Sequence, residues 1–315
     1  MPAHEESARI LSVAVDAIGG TPRSGQVEMA QAVDRAIDEE IHLLVQAGTG
    51  TGKSLGYLAP TIAHAVLDDE AVVVATATLA LQAQLADKDI PAALTAAEKV
   101  LPRRPRAAVL KGRHNHACLH KVRGGSSRPD QDMLLDDAES SAAGSAGKGT
   151  DQASELGAEV VALRQWAEQQ AEENGVGDRD DAPAHSQQAW DQVSMRANEC
   201  LGAQNCPFGP QCLAERARER ARDADIVVTN HAMLAIDAMN GGTLLPEHDV
   251  VVIDEAHEVA DRFTGAASVD LWPGRLSTVA RQGLTWLDDD LGADLLDQVD
   301  VLHEALEATR PGRIT

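Results

Sequence analysis

Short apolar, β-branched runs recur along the chain, and each is bounded by turn or helix signals. Near-continuous apolar character of this kind is typical of central strands in a parallel sheet that is covered on both faces. The runs predicted to be strands are Ile41–Gln46, Ala71–Thr76, Arg106–Lys111, Asp225–Thr229 and Asp249–Asp254. Helical periodicity lies between several of them, in Lys53–Val66 and Leu79–Ala86. This alternation predicts a layered α/β domain.

The strand rhythm breaks off after Arg123 and does not return before Val193. Within this interval Glu139–Gln152 is rich in Ser, Ala and Gly, which predicts disorder. Glu155–Glu173 carries apolar residues at helical spacing, which predicts an amphipathic helix. Because strands resume later, we interpret Gly112–Glu215 as an insertion into the α/β domain.

The chain after His257 is predicted to be helical, most clearly in Leu291–Ala308. We interpret this tail as the beginning of a further module. No run approaches the roughly 18 apolar residues that a membrane span needs, and the N-terminus does not resemble a signal peptide. These patterns favour a cytoplasmic protein. Four cysteines among 315 residues are too few for a disulfide scaffold and indicate ligands or free thiols.

Charge is distributed unevenly. The formal net charge of −23 argues against a protein that coats nucleic acid non-specifically. Lys99–Pro129, however, contains no acid and carries Lys99, Arg103, Arg104, Arg106, Lys111, Arg113, Lys121, Arg123 and Arg128. A second basic run consists of Arg216, Arg218, Arg220 and Arg222, which taken alone fits a solvated helix face equally well. Asp130–Glu199, between the two, is strongly acidic.

A glycine-rich phosphate-binding loop is predicted at Ala47–Ser54, after the first predicted strand and before a helix. Glycines let backbone N–H groups surround phosphate oxygens, and the helix N-terminus adds a positive dipole end. Lys53 is predicted to contact the β- and γ-phosphates, and Ser54 to bind Mg²⁺. The remaining candidate cradle residues are Gly48, Thr49, Gly50, Thr51 and Gly52.

A second acidic element completes this candidate site. The run Asp249–Ile253 leads into Asp254-Glu255-Ala256-His257. A carboxylate at the C-terminal end of a strand is placed to hold Mg²⁺ through water, which assigns Asp254. Glu255 is placed to orient and deprotonate the attacking water. The candidate catalytic residues are therefore Lys53, Asp254, Glu255 and His257.

In this order the motifs resemble a superfamily-2 helicase motor of the DEAH-box type. Arg23–Met29 resembles the family's adenine-reading element, which implies that Gln26 reads the base. Thr76–Gln82 resembles the motif that grips the DNA backbone in the family. The resemblance implies a RecA-like P-loop motor domain that uses ATP and Mg²⁺.

The four cysteines, Cys118, Cys200, Cys206 and Cys212, all lie in the insertion, with 81, 5 and 5 residues between neighbours. Zinc sites usually pair cysteines two to four residues apart, so this spacing fits zinc poorly. Four thiolates also hold iron–sulfur clusters. Spacing alone leaves zinc, iron–sulfur and unrelated thiols open.

The resemblance narrows the choice. DinG- and XPD-like helicases carry a four-cysteine iron–sulfur domain between these same motifs, and Leu110–Cys118 and Asp225–His231 resemble its flanking segments. This implies a [4Fe–4S] cluster held by all four cysteines. His116 stands where relatives often have Tyr. We interpret His114, His116 and His120 as surface residues.

The family's organisation implies motor segments 1–111 and 215–257, an iron–sulfur domain 112–214, and the start of a helical arch domain at 258–315. It implies 5′→3′ translocation on single-stranded DNA and unwinding of forked duplexes, in DNA repair, by a monomer. Two alternatives keep the P-loop: a truncated, non-unwinding DNA-binding or regulatory protein, and a zinc-binding nuclease.

Overall fold

The computed structural model describes residues 2–17, 19–21, 23–48, 51–124, 149–268, 273–284 and 286–308. Arg128 and residues 139–148 of the segment predicted to be disordered lie outside these ranges. The chain divides into two units, Met1–Ala266 and Ala267–Thr315. None of the helices in the described ranges combines the length and the apolar character that a membrane crossing demands.

Four parallel strands form the sheet of the first unit. They are β1 (Val72–Thr76), β2 (Ala107–Val109), β3 (Ile226–Asn230) and β4 (Val250–Ile253), in the spatial order β2-β3-β1-β4. In register, Val73 of β1 lies opposite Val227 of β3 on one side and Val251 of β4 on the other. All residues of β1 and β3 are buried. The predicted α/β class with a parallel sheet is confirmed.

Helices cover the sheet. The first unit contains α1 (Pro2–Ala17), α2 (Ser24–Asp38), α3 (Lys53–Leu67), α4 (Leu79–Gln84), α5 (Ile90–Glu98), α6 (Leu119–Gly124), α7 (Gly149–Glu172), α8 (Gln187–Val193), α9 (Leu213–Arg222), α10 (His231–Met239) and most of α11 (Val259–Ala267). The main core joins α1, α3 and α5 to β1 and β3, through side chains such as Ile10, Leu58, Ile62 and Val74. The helix predicted at Lys53–Val66 is confirmed as α3. The helix predicted at Leu79–Ala86 passes after Gln84 into a π-helical turn, Leu85–Asp89.

The described residues between β2 and β3 form a helical layer with a core of its own. Leu163 and Ala167 of α7 pack against Ala189, Trp190 and Val193 of α8, all of them nearly inaccessible. The indole N–H of Trp190 donates to the carbonyl of His114 over 2.7 Å. The amphipathic helix predicted at Glu155–Glu173 is found within α7.

The strand predicted at Ile41–Gln46 is wrong. Residues 41–48 have no regular secondary structure, and Leu44 is 94% exposed. A strand exists only where a neighbour pairs with its N–H and C=O groups, and no described strand lies beside this segment. β4 is a strand, but it pairs with β1 alone among the described strands. Its side chains therefore alternate between partly buried and exposed, although burial on both faces was predicted.

The second unit is a pair of helices, α12 (Pro273–Gly283) and α13 (Asp289–Ala308). They pack against each other, with Ala280 and Val299 buried between them. The helix predicted at Leu291–Ala308 is confirmed as α13. Several apolar side chains of this unit remain exposed, including Trp286 at 85%.

Candidate nucleotide site

Gly52 lies at the N-terminus of α3 in the left-handed backbone region, with φ +81°. Glycine populates this region without steric cost. The space matters as well, because a side chain at position 52 would collide with Nε2 of Gln26. Just before it, the Thr51 hydroxyl donates to the carbonyl of Gly48 over 2.8 Å and closes the turn. Thr49 and Gly50, which belong to the predicted cradle, lie outside the described residues.

The structure brings Lys53 to Glu255, 202 residues away in the sequence. Lys53 Nζ donates to Glu255 Oε1 over 2.7 Å. This hydrogen bond raises the pKa of Lys53 and lowers the pKa of Glu255. Both groups are therefore charged at neutral pH. The side chains are 26% and 33% exposed, so water and an incoming phosphate both have access to the pair.

Asp254 follows β4 directly and is held from several sides. Its Oδ1 accepts from the backbone N–H of Glu255 over 3.0 Å. Its Oδ2 accepts from the hydroxyl of Tyr57 over 3.3 Å. Its backbone N–H donates to the carbonyl of Ala75 in β1, over 2.9 Å, which continues the β1–β4 pairing beyond the strand. The chain then turns sharply, because Glu255 has φ +53°.

His231 holds the backbone of Asp254 and was not assigned to the site from the sequence. Its Nε2 donates to the carbonyl of Asp254 over 2.9 Å, from the first residue of α10. The side chain is fully buried, and burial lowers the pKa of His231, so the ring is neutral. His231 is the last residue of Asp225–His231, which resembles a flanking segment of the family, but neither His231 nor Tyr57 was assigned a role in the site. A buried polar residue directly after a predicted strand was the available signal for His231.

Gln26 and His257, the outer members of the predicted site, are placed differently. Gln26 is buried, at 6% exposure, and its Nε2 donates to the carbonyl of Gly52 over 3.0 Å. It therefore lies against the phosphate loop itself. His257 is 72% exposed, with Nδ1 3.5 Å from Glu255 Oε2, and lies at the rim.

The segment Thr76–Gln82, expected to contact DNA, has a clear structural role. The Thr78 hydroxyl accepts from the backbone N–H of Leu81 and caps α4. Gln82 is fully buried, and its Nε2 donates to the carbonyls of Leu110 and Val228, over 3.3 Å and 3.1 Å. Gln82 thus fastens α4 to the strand ends and is not available to a ligand on the surface.

The four cysteines carry free thiols and are all partly buried. Burial raises the pKa of Cys118, and electrostatic repulsion from Cys212 and Cys200 raises it further. Backbone N–H groups of Lys121 and His120 donate to the Cys118 sulfur, and that of Gly202 donates to Cys200 over 3.4 Å. In the part of the chain that the structure describes, no three His, Cys, Asp or Glu side chains form a ready metal site.

One of the nearby histidines corrects an expectation. His116, interpreted as a surface residue, is 2% exposed. Its Nδ1 is 3.0 Å from the carbonyl of Val176, and its backbone forms a bridge with Asp178. His116 is buried because this backbone pairing packs it against the loop after α7 that contains Val176 and Asp178.

Most cations of the acid-free basic stretch are bound within the protein. Arg103 pairs with Asp225 at 2.7 Å, and Arg113 pairs with Glu215. The remaining contacts join Lys111 to Asp178 and Asp180, Lys121 to the carbonyl of Asp191, and Arg123 to Glu168 and Gln211. These contacts engage the named side chains within the protein and make them less available to neutralise phosphates.

The second basic run is likewise more than a solvated face. Arg216 donates to the carbonyls of Gln170 and Ala171 at the end of α7. Arg220 donates to the carbonyl of Asn174 over 2.5 Å. Cations favour the carbonyl end of a helix, so α9 uses these side chains to hold α7. Arg222 at the end of the run is exposed.

A glycine-capped helix, a lysine on it and an acidic pair at the end of a neighbouring parallel strand define a P-loop nucleotide-binding motor domain of the DEAH type. A family model described as DEAD_2 matches residues 163–276. The chain belongs to the DinG-like helicases of superfamily 2.

The relatives that support this assignment are bacterial. The chain is 45% identical to the ATP-dependent helicase DinG of Mycobacterium tuberculosis H37Rv, over 97% of the chain and 44% of that protein. It is 35% identical to the ATP-dependent DNA helicase YoaA of Escherichia coli K12, over 77% of the chain and 34% of that protein. A DinG helicase of Photobacterium profundum is 30% identical, over 78% and 34%. The chain therefore spans less than half the length of these relatives.

Proposed function

We propose that the chain supplies the ATP-binding part of a DNA helicase motor of the DinG type. The observation that carries this proposal is that Lys53 contacts Glu255, next to Asp254, across a sequence separation of 202 residues. In the absence of nucleotide the ion pair fixes the positions of Lys53 and Glu255. When a phosphate binds, Lys53 would interact with the phosphate instead of Glu255. The names of the relatives support DNA as the polymer on which such a motor acts.

The side chains fit the chemistry of ATP hydrolysis. Lys53 neutralises the β- and γ-phosphates, and Gln26 reads the base from its position against Gly52. The oxygens of Ser54 and Asp254 are the hard donors that Mg²⁺ prefers, so these two side chains would hold the metal, which would supply positive charge against the phosphates. Glu255, ionised and next to the lysine, accepts the proton of the attacking water.

Nucleotide binding and hydrolysis test this assignment separately. We expect Lys53→Ala to abolish binding of a fluorescent ATP analogue, because it removes the charge that faces the phosphates. Glu255→Gln should retain binding and lose hydrolysis by a factor of about 10² or more. Lys99→Ala, at an exposed lysine of the same unit, is the matched control. Wild-type hydrolysis in Lys53→Ala would contradict the proposal.

The whole helicase activity follows from the same motor. We expect a helicase that contains this motor domain to couple ATP hydrolysis to 5′→3′ movement along single-stranded DNA and to open forked duplexes during repair. We expect it to act as a monomer in the cytoplasm. Stimulation of ATP hydrolysis by single-stranded DNA separates this function from that of a P-loop regulator. Hydrolysis that ignores DNA would favour the regulator.

The cysteines fit an iron–sulfur cluster by donor chemistry. All four thiols are unbridged, Cys200 and Cys212 both influence the pKa of Cys118, and backbone N–H groups donate to two of the sulfurs. Such hydrogen bonds stabilise thiolate ligands and tune a cluster's potential. Cys118, Cys200, Cys206 and Cys212 would hold a [4Fe–4S] group, which when bound supplies a rigid cross-link of the insertion. Because no ready metal site exists among the described residues, the cysteine loops must draw together to bind it.

Metal analysis decides between iron and zinc. We expect anaerobically purified protein to be brown and to contain iron and sulfide, and Cys206→Ser to lose the colour. Ser194→Ala, in the same insertion, should keep it. A colourless protein with stoichiometric zinc, which Ser194→Ala keeps and Cys206→Ser loses, would favour the zinc-binding alternative.

A further inference from the structure

A buried tyrosine hydroxyl stands between the two residues proposed to hold Mg²⁺. Tyr57 is 3% exposed. Its hydroxyl donates to Asp254 Oδ2 over 3.3 Å and is also hydrogen-bonded to Ser54. A single side chain thus contacts both the hydroxyl and the carboxylate of the proposed metal site.

The helix explains this position. Tyr57 lies three residues after Ser54 on α3, and residues three apart lie on the same helical face. The neighbouring Leu58 and Ile62 are fully buried in the main core, which fixes the rotation of α3 about its axis. The aromatic ring therefore fills the core while its hydroxyl reaches the end of β4.

The hydroxyl also restricts the carboxylate. Asp254 Oδ1 accepts from the Glu255 N–H, and Oδ2 accepts from Tyr57. With both oxygens engaged, rotation of the carboxylate is hindered, yet each oxygen keeps a second lone pair for a water on Mg²⁺. Partners of this kind, which orient a metal-binding group without touching the metal, raise metal affinity.

We propose that Tyr57 is a positioning residue for Mg²⁺, which sets the orientation of Asp254 and Ser54 before the metal arrives. This inference rests on the proposed nucleotide site and deepens it. The competing explanation is that any buried hydroxyl needs a partner and that Asp254 happens to provide one. In that case the loss of the hydroxyl alters stability and leaves the response to Mg²⁺ unchanged.

Tyr57→Phe separates the two explanations, because it removes the hydroxyl and keeps the ring. Binding of a fluorescent, non-hydrolysable ATP analogue to the full chain is measured in EDTA and across a Mg²⁺ titration. We expect the affinity in EDTA to be unchanged and the Mg²⁺ concentration for half-maximal effect to rise about tenfold.

Thr61→Val is the matched control. Thr61 lies one turn further along α3, is fully buried, and its hydroxyl donates to the carbonyl of Tyr57 rather than to the site. This variant removes a buried hydroxyl from the same helix and should keep the wild-type response to Mg²⁺. An equal shift in both variants would overturn the proposal.

A spectroscopic measurement on the unmutated chain tests the proposal even if the Tyr57→Phe variant does not fold. Tyr57 is the one tyrosine in the sequence, so protein labelled with fluorotyrosine gives a single ¹⁹F resonance. We expect this resonance to move when Mg²⁺ joins the ATP analogue, and Asp254→Asn to abolish the movement. A stationary resonance, or a Tyr57→Phe titration like that of wild type, overturns the role of Tyr57 alone. A wild-type chain that binds the analogue without any response to Mg²⁺ overturns the proposed metal site as well.

Discussion

The Lys53–Glu255 pair is the clearest case in which one side chain sets the ionisation of another. Lys53 lowers the pKa of Glu255 through a direct hydrogen bond. The stability that Glu255 contributes is therefore present above its ordinary pKa and is lost as the pH falls through the lowered value. Because both side chains are well solvated, this contribution to folding is small, and the pair matters mainly for nucleotide binding.

Replacing the lysine should restore an ordinary glutamate. In Lys53→Met we expect the pKa of Glu255 to rise towards its usual range, because the hydrogen bond and the positive charge are both gone. Carbon-detected NMR titration of the glutamate carboxyl groups measures the change. Lys88→Met, at a lysine outside the site, should leave that titration unaltered. An unchanged Glu255 pKa in Lys53→Met would show that the pair does not persist in solution.

His231 should make the free energy of unfolding depend on pH. Burial lowers its pKa, so the folded state resists a proton that the unfolded state accepts. Its contribution is fully present above the ordinary histidine pKa of about 6.5 and is lost as the pH falls through the lowered value. We expect His231→Gln, which keeps a donor for the Asp254 carbonyl, to flatten the decline of unfolding free energy below about pH 6.5.

Urea unfolding at a series of pH values measures this effect. His42→Gln, at an exposed histidine, provides the comparison and should follow the wild-type curve. If His231→Gln keeps the wild-type dependence on pH, His231 is not the residue that resists protonation.

Residue types in the sequence predicted that Lys53 would lie near Asp254 and Glu255, and the structure brings Lys53 to Glu255. Lys53 follows a glycine-rich run, and the two acids follow a predicted strand. Tyr57 and His231 were not assigned a role, because their positions depend on how their helices pack. His116 was misjudged for the same reason, since only the bridge to Asp178 shows that it is buried.

At the scale of elements, β2 and the insertion are joined by a buried ion pair. Lys111 follows β2, and its side chain is 5% exposed. Its Nζ lies 2.7 Å from Asp178 Oδ2 and 2.7 Å from Asp180 Oδ2, both in the loop after α7. The strand end and the inserted layer are thereby held together by charge.

Removing the cation should be costly because it leaves the largely buried carboxylate of Asp178 without its opposite charge, with only the Asp180 N–H still donating to it. We expect Lys111→Met to lower the unfolding free energy by about 3–5 kcal/mol, and the double variant Lys111→Met/Asp178→Asn to lose less. The exposed pair of Arg104 with Glu98 is the control, and Arg104→Met should cost at most about 1 kcal/mol. Equal losses for Lys111→Met and Arg104→Met, measured by denaturant unfolding, would contradict the role of this pair.

The elements themselves were predictable where burial is complete. β1 and β3 are continuous apolar runs, and α3 and α13 follow clear helical periodicity. Ile41–Gln46 has the same composition, yet it is irregular, because strand formation depends on a neighbour that local sequence does not specify. The character of β4 as an edge could not be predicted for the same reason.

At the scale of the molecule, the chain should be a weak enzyme by itself. It contains one phosphate loop and one acidic motif, and it spans 44% of the DinG relative from Mycobacterium tuberculosis. Motors of this family complete the ATP site with an arginine from a second motor domain, and such arginines accelerate hydrolysis by about 10³–10⁵-fold. We therefore expect nucleotide binding with slow ATP hydrolysis.

Forked-duplex unwinding measures this expectation directly. The 315-residue chain should bind single-stranded DNA weakly, since several cations of its basic stretch are engaged in internal ion pairs, and should not separate the strands. A longer protein with the same residues serves as the positive control. Robust unwinding by the short chain would refute the requirement for a second motor domain.

The amide of Gln26 ties the start of α2 to the glycine that opens α3. A purine that forms a hydrogen bond with this amide would break the bond between Gln26 and Gly52. A phosphate that changes the conformation of the loop would break the same bond from the other side. Such a relation is reciprocal, so adenosine and pyrophosphate, each too short to span the site, should bind more tightly together than apart. An intact nucleotide, which carries the base and the phosphates in one molecule, would then bind more tightly than the separate contributions of its two ends predict.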